Sequence, residues 1–355
     1  MCLMPATEAC PPVLGDGQHG EQGNGVRVRP GPRRSHSHAF CVAPMMDWTD
    51  RHCRFFHRLI SRKALLYTEM VTTGAVLHGD LERLLGFSEA EQPVALQLGG
   101  SEPADLARAA RIGEGYGYNE INLNCGCPSE RVQRGAFGAC LMKEPALVAD
   151  CIKAMQDAVS IPVTVKHRIG LGRDESPGLM MDFVSALYDV GCRVFIVHAR
   201  NAWLEGLSPK ENREIPPLRY DVVHGLKAAF AQATFVLNGG LADPISAQPH
   251  GHGLDGLMFG RAAYHQPWIL SQVDALCDPE GAATRTRDEV LEDLADYARQ
   301  QRGKGVPLRA IVRHVLGLYH GEPGARAFRR VLSDASLLRD ADHSLIWRAR
   351  EAMRT

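Results

Sequence analysis

Eight short apolar runs, each bounded by turn residues, recur between Phe40 and Ala262 and leave few folds open to the chain. They are FCVAPM (40–45), ALLYTEM (64–70), PVALQLG (93–99), EINLNCG (120–126), PVTVKHR (162–168), RVFIVHA (193–199), TFVLNGG (234–240) and GLMFGRA (256–262). Each is brief and rich in Val, Ile, Leu and Phe, as expected of strands buried on both faces of a parallel sheet. Between them, apolar residues recur three and four apart. PALVADCIKAMQDAV gathers Leu147, Val148, Cys151, Ile152, Met155 and Val159 on one side. GLMMDFVSALYDVG gathers Met180, Phe183, Val184, Leu187 and Tyr188, then stops at Gly191, a helix C-cap. Eight strands each followed by a helix predict a (β/α)8 TIM barrel of the α/β class. A doubly wound open sheet is the alternative. Its nucleotide fingerprint is missing, because GEGYG at 113–117 follows a helix rather than a strand.

Three segments are expected. Residues 1–38 are Pro- and Gly-rich, end in RPGPRRSHSH and carry no apolar period, which predicts a flexible N-terminal tail. Residues 39–285 form the barrel. Residues 286–355 hold EVLEDLADYARQQRG, LRAIVRHVLGLYHG and ARAFRRVLSDASLL, a C-terminal all-helical domain. The whole chain is balanced, with 40 Lys+Arg against 41 Asp+Glu. Residues 300–355 are not, with eleven basic against five acidic side chains. That asymmetry points to a polyanion partner met by a local basic surface.

Several classes are excluded. No apolar run approaches the ~18 residues of a membrane span, and the first residues lack the pattern of a secretory signal. The ten cysteines contain no C-x-x-C pair, which predicts reduced thiols, a cytoplasmic location and no metal. The strand ends show no paired carboxylates, against a glycosidase, and no local nucleophile motif, against acyl transfer.

The strand ends carry amides, an ammonium, an imidazole, glycine loops and one thiol. Gly239-Gly240 after the seventh run and Gly260-Arg261 after the eighth occupy the phosphate-binding corner of this fold. Glycines let backbone N–H groups approach phosphate oxygens, and Arg261 adds a bidentate partner. Lys166, deep in the fifth run, calls for an anion, and a flavin's N1–C2=O edge becomes one on reduction. Gln97 matches an isoalloxazine amide edge as donor and acceptor, and His198 pairs with the flavin or its phosphate.

Taken in order, VAPMMDWTDRHCR, INLNCGCPS, TVKHRIG, IVHAR, VLNGG and MFGRA resemble the tRNA-dihydrouridine synthases, flavin enzymes that reduce uridine in tRNA. HARNAWLEGLSPKENREIPPL and GARAFRR resemble the A-type bacterial subgroup, which acts on D-loop positions 20 and 20a. The resemblance spans about residues 40–340. It implies a catalytic acid at Cys127 of the Gly-Cys-Pro motif, rather than at Cys125. It implies FMN contacts from Pro44, Met45, Met46, Gln97, Lys166, His198, Asn238, Gly239, Gly240, Gly260 and Arg261. It implies tRNA contacts from Asn124, Lys210, Arg213, Arg326 and Arg329, with NADPH as the electron donor. The chemistry agrees: reducing the uracil C5=C6 bond takes hydride at C6 and a proton at C5 from the opposite face, and a thiol past the fourth strand is placed to give it. A target base inside folded tRNA must be turned out to reach a barrel mouth. Arg326, Arg329 and Arg330, at i, i+3 and i+4, suit a helix face that follows a phosphate backbone. A monomer is expected. Two rival readings are a small-molecule pyrimidine or dihydroorotate dehydrogenase and a catalytically silent tRNA-binding protein.

Overall fold

A computed structural model describes residues 36–354, except 130, 131, 133, 134, 174–176 and 282–284. Most of the expected tail, residues 1–35, lies outside these described residues. Its last residues do not: His36 and His38 pack against Glu120 of the barrel, so residues 36–38 belong with the barrel rather than with a flexible tail.

All eight expected strands are present: β1 (Phe40–Val42), β2 (Leu65–Thr72), β3 (Val94–Gly99), β4 (Glu120–Cys125), β5 (Val163–Arg168), β6 (Val194–His198), β7 (Thr234–Asn238) and β8 (Gly256–Phe259). Each pairs in parallel with the next, and β8 pairs back onto β1, closing the barrel with no free edge. Helices cover the outside: α1 (Arg51–Ile60), α2 (Thr73–His78), α3 (Pro103–Gly115), α4 (Pro145–Ala158), α5 (Pro177–Asp189), α6 (Tyr220–Ala229), α7 (Pro244–Gly251) and the short α8 (Arg261–His265). The apolar stripes predict their buried faces. Val148, Cys151, Ile152 and Met155 of α4, and Met180, Phe183, Val184 and Leu187 of α5, lie in the layer between strands and helices. Gly191 takes φ +97°, the left-handed conformation that ends a helix cheaply only as glycine.

The barrel interior has its own small core, from Cys41, Ala43, Leu65, Tyr67, Ala95, Ile196, Val236 and Met258. Beside it runs a polar ladder. Asn124 Nδ2 donates to Gln97 Oε1, Gln97 Nε2 to Asn122 Oδ1, and Asn122 Nδ2 to Thr164 Oγ1, each at 2.8 Å. Thr164 Oγ1 then donates to Glu120 Oε1 at 2.6 Å. Every buried group in that line has a partner, as a polar core requires.

After β8 the chain becomes helical: α9 (Arg287–Gly303), α10 (Leu308–Val312), α11 (Ala325–Ser333) and α12 (Ser344–Glu351). Thr286 and Glu289 form a capping box that starts α9. Two expected helices are shorter than their patterns. LRAIVRHVLGLYHG leaves helix at Val312 and continues as turns, which brings Arg313 and His314 back to Asp50 at the start of α1. ARAFRRVLSDASLL breaks at Asp334, whose carboxylate accepts from Ser336 N and Leu337 N and so caps a new turn. Tyr297 of α9 stacks on Phe55 of α1 with ring centroids 3.8 Å apart, seating the helical region against the barrel. Among the described residues no helix is long and apolar enough to cross a membrane.

Candidate active site at the barrel mouth

A cavity of about 710 Å³ opens at the C-terminal ends of the strands. Every residue expected at the cofactor site lines it. Pro44, Met45 and Met46 follow β1, Gln97 lies in β3, Lys166 in β5 and His198 at the end of β6. Asn238, Gly239 and Gly240 come from the end of β7, Gly260 and Arg261 from the end of β8. Cys127, Asn124 and Arg213 reach the same cavity. Lys210 does not line it and is exposed nearby. Arg326 and Arg329 lie apart, with Arg330, around a separate concavity of about 600 Å³ on the helical region.

The pleat of β4 separates the two thiols. Glu120, Asn122 and Asn124 hydrogen-bond inside the barrel, while Ile121, Leu123 and Cys125 pack into the outer core. Cys125 is fully buried, and burial pushes its thiol well up. Cys127, beyond the strand end, faces the cavity with Sγ 3.5 Å from Ser129 Oγ. The backbone N–H groups of Gly126 and Cys127 both donate to Asn124 Oδ1 at 3.1 Å. Asn124, expected to touch the nucleic acid, is therefore committed first to shaping the Cys127 loop. Gly138 closes the other side with φ +78°: a Cβ there would stand 2.7 Å from the Cys127 carbonyl.

Lys166 Nζ donates to Asn238 Oδ1 at 3.0 Å. Burial drives its ammonium down to about 7; Arg168 adds to the shift and Cys127 opposes it. Beside it, burial, then Arg168 and Lys166, keep His198 neutral well below the usual range. His198 Nδ1 is buried with no hydrogen-bond partner among the described residues. Gly239 and Gly240 adopt φ +112° and +72°, and a Cβ on Gly239 would press on the His198 ring at 3.2 Å. A left-handed glycine turn, an unpartnered ring nitrogen and a lysine whose charge is costly fit an anionic ligand with a planar amide edge.

Arg261 departs from a free phosphate ligand. Its guanidinium pairs with Glu214 at 2.6 Å and donates to the Arg213 carbonyl at 3.3 Å, so it also ties the 200–216 loop to the end of β8. Arg168 has a larger part than its strand-end position predicts. It donates to the carbonyls of Gly126 (3.1 Å), Asn201 (3.1 Å) and Asn212 (2.8 Å), bracing the Cys127 loop against the 200–216 loop. Met70 and Trp48 also line the cavity, and neither is expected from the strand ends considered. Met70 closes the second apolar run, so its signal was present. Trp48 stacks on Tyr264 with centroids 4.4 Å apart, a contact that only the fold creates.

Residues 41–352 match the family model described as dihydrouridine synthase (Dus). The chain is 54% identical over 295 residues to a tRNA-dihydrouridine(20/20a) synthase of Xanthomonas campestris pv. campestris, covering 83% of this chain and 88% of that protein. It is 56% identical over 309 residues to the protein of the same name from Xylella fastidiosa strain Temecula1, covering 87% and 92%. A third of that name, from Pseudomonas aeruginosa, is 56% identical over 297 residues, covering 84% and 90%. With the family's match running from β1 to the last helix, the chain belongs to the dihydrouridine synthase family.

Proposed function

We propose that the protein reduces uridines 20 and 20a of the tRNA D loop to 5,6-dihydrouridine, with FMN as resident cofactor and NADPH as electron donor. The relatives' shared name supports the substrate, at 54–56% identity over most of both chains. The observation that carries the reading is the convergence of Cys127, Lys166, His198, Gln97 and the Gly239-Gly240 turn on one cavity.

Gly239, Gly240 and Arg261, the last alongside its pair with Glu214, would hold an FMN phosphate, Lys166 and His198 would meet the charge gained on reduction, and Pro44, Met45 and Met46 would wall the site. When bound, FMN supplies the hydride that reaches C6 of the uracil. Gln97 is oriented by Asn124 and Asn122, which use one end of its amide each and leave it one N–H and one lone pair to offer. Cys127 gives its proton to C5 from the face away from the hydride, and solvent reprotonates the thiolate. A positioned acid of this kind contributes about 10²–10⁴-fold. Asn124 and Arg168 act as positioning residues, because they fix the Cys127 loop from its two sides.

The tRNA lies across the mouth with its target base turned out. Lys210 and Arg213 meet its backbone on one side, and Arg326 and Arg329 on the helical region meet it on the other. In this reading residues 39–285 are the catalytic unit and 286–355 the tRNA-binding unit, working as a cytoplasmic monomer. The test is incubation of the protein with FMN, NADPH and unmodified tRNA transcript, followed by nucleoside mass spectrometry. A two-hydrogen mass gain at positions 20 and 20a is expected. Turnover of free pyrimidines with no change in the transcript would overturn the assignment.

A further inference from the structure

The floor of the barrel, opposite the mouth, holds a second cluster that the reaction does not use. Glu120 opens β4 and its side chain is fully buried. Tyr67 Oη and Thr164 Oγ1 donate to Oε1 at 2.8 and 2.6 Å, which fixes the plane of the carboxylate. Oε2 faces the chain entering β1. His38 Nε2 stands 2.7 Å from it and His36 Nε2 3.4 Å, with the two imidazole side chains only 13% and 11% exposed. All three ligand atoms lie within 4.8 Å of one another.

We propose that His36, His38 and Glu120 form a binding site for a divalent cation of the zinc class, stapling the segment before β1 to the start of β4.

The donor set is two imidazoles and a carboxylate, which suits borderline divalent ions and leaves a fourth position for water. Zn–N and Zn–O bonds of about 2.0–2.1 Å put tetrahedral ligand atoms about 3.4 Å apart. His36 already stands at that spacing, too long for a good hydrogen bond. His38 needs to open by about 0.7 Å from its hydrogen bond to reach it. The sequence His-x-His leaves one residue between the two rings, and both reach the same carboxylate oxygen of Glu120. The backbone there is built in: Leu257 N donates to the Ala39 carbonyl at 2.9 Å, and a Cβ on Gly256 would stand 1.9 Å from the His38 carbonyl. Tyr67 and Thr164 play the part of the outer shell that orients a ligating carboxylate.

The site is remote from the mouth, so the ion stabilises the fold without entering the reaction.

The experiment uses untagged full-length protein stripped with a chelator, then titrated with Co²⁺ and with Zn²⁺ at pH 7.5. One equivalent of Co²⁺ is expected to give visible d–d bands with no thiolate charge-transfer band. Zn²⁺ is expected to displace it and raise the melting temperature. His36→Gln should weaken binding at least tenfold while keeping the hydrogen bond of His38, so it tests the site even if His38→Gln folds poorly. The double variant should lose at least a hundredfold. Unchanged binding in His36→Gln, a charge-transfer band assigning the ion to cysteines, or no saturable binding would each overturn the site. The last result would leave the cluster as a hydrogen-bonded latch.

Discussion

Lys166 Nζ reaches across the barrel interior to Asn238 Oδ1 at 3.0 Å, linking β5 to a β7 residue whose Nδ2 is itself held by the Met258 carbonyl at 2.8 Å. Among the described residues no carboxylate acts on the lysine's charge, and in the proposed reading the bound ligand supplies the counter-charge. Burial lowers its pKa from 10.5 to about 7. The unfolded chain therefore binds more protons than the folded one between pH 7 and 10.5, and this group makes stability rise with pH across that window. Below pH 7 the full penalty is present. Lys166→Met should accordingly raise the melting temperature of flavin-free protein more at pH 6 than at pH 9. The difference between the two pH values is the readout, since the lost hydrogen bond to Asn238 is common to both. The same variant should weaken FMN binding at least tenfold. A pH-independent change in melting would contradict the assignment.

The two thiols of β4 and its loop should separate cleanly. Cys127→Ala is expected to abolish dihydrouridine formation while NADPH still reduces bound FMN, because the thiol lines the mouth and, in the proposed reading, only the protonation needs it. Cys125→Ala opens a small gap in the outer core and should cost roughly 1 kcal/mol of stability with activity retained. Stopped-flow bleaching of the flavin, read beside product mass spectrometry, distinguishes them. Loss of product in Cys125→Ala alone would reverse the roles.

Asp50 joins the barrel to the helical region. Its carboxylate caps α1 through His52 N and Cys53 N at 2.9 and 3.0 Å, and takes Arg313 Nη2 at 2.7 Å and His314 Nε2 at 3.1 Å. Burial opposes ionisation, but these hydrogen bonds hold its carboxyl far below the usual range. Asp50→Ala removes a cap and leaves the buried His314 without its carboxylate, a loss of about 2–3 kcal/mol. The expected outcome is a lower melting temperature and faster proteolysis after residue 286, with FMN content unchanged. Equal proteolysis of variant and parent would show that other contacts carry the docking.

The eight strands and the mouth were legible because both obey local rules. Apolar runs ending in turn residues mark buried parallel strands, and the fold delivers their C-terminal ends to one place. The same runs hid the polar ladder. Glu-Ile-Asn-Leu-Asn-Cys in β4 alternates between a polar inside and an apolar outside, yet as an apolar run it gives Glu120 and Asn122 no role. Contacts that depend on distant chain were not readable at all. Glu214 engages Arg261 from 47 residues away, and Arg313 meets Asp50 from 263. The floor cluster is of the same kind: His38 and Glu120 are 82 positions apart, and no ligand spacing announces them. Gly317 shows the same dependence on distant chain: a Cβ there would stand 2.2 Å from the His265 carbonyl, so the turns after α10 pack closely on the end of α8.

Binding energy for tRNA should divide between the mouth and the helical region. Arg326, Arg329 and Arg330 line one concavity on the face of α11, while Phe328 and Leu332 of the same helix are buried beneath. No ion pair ties Arg326 or Arg329 among the described residues, so both are available to phosphates. Each phosphate contact contributes about −0.7 to −0.9 to the slope of log affinity against log salt. Arg326→Ala with Arg329→Ala should therefore weaken tRNA binding and flatten that slope by about one to two units. FMN content and NADPH oxidation should be unchanged, because α11 contributes no residue to the mouth. Affinity measured from low to high salt, beside the flavin spectrum, checks both halves. A double variant that bound tRNA with the parent's slope but lost FMN would assign the basic helix to cofactor scaffolding instead.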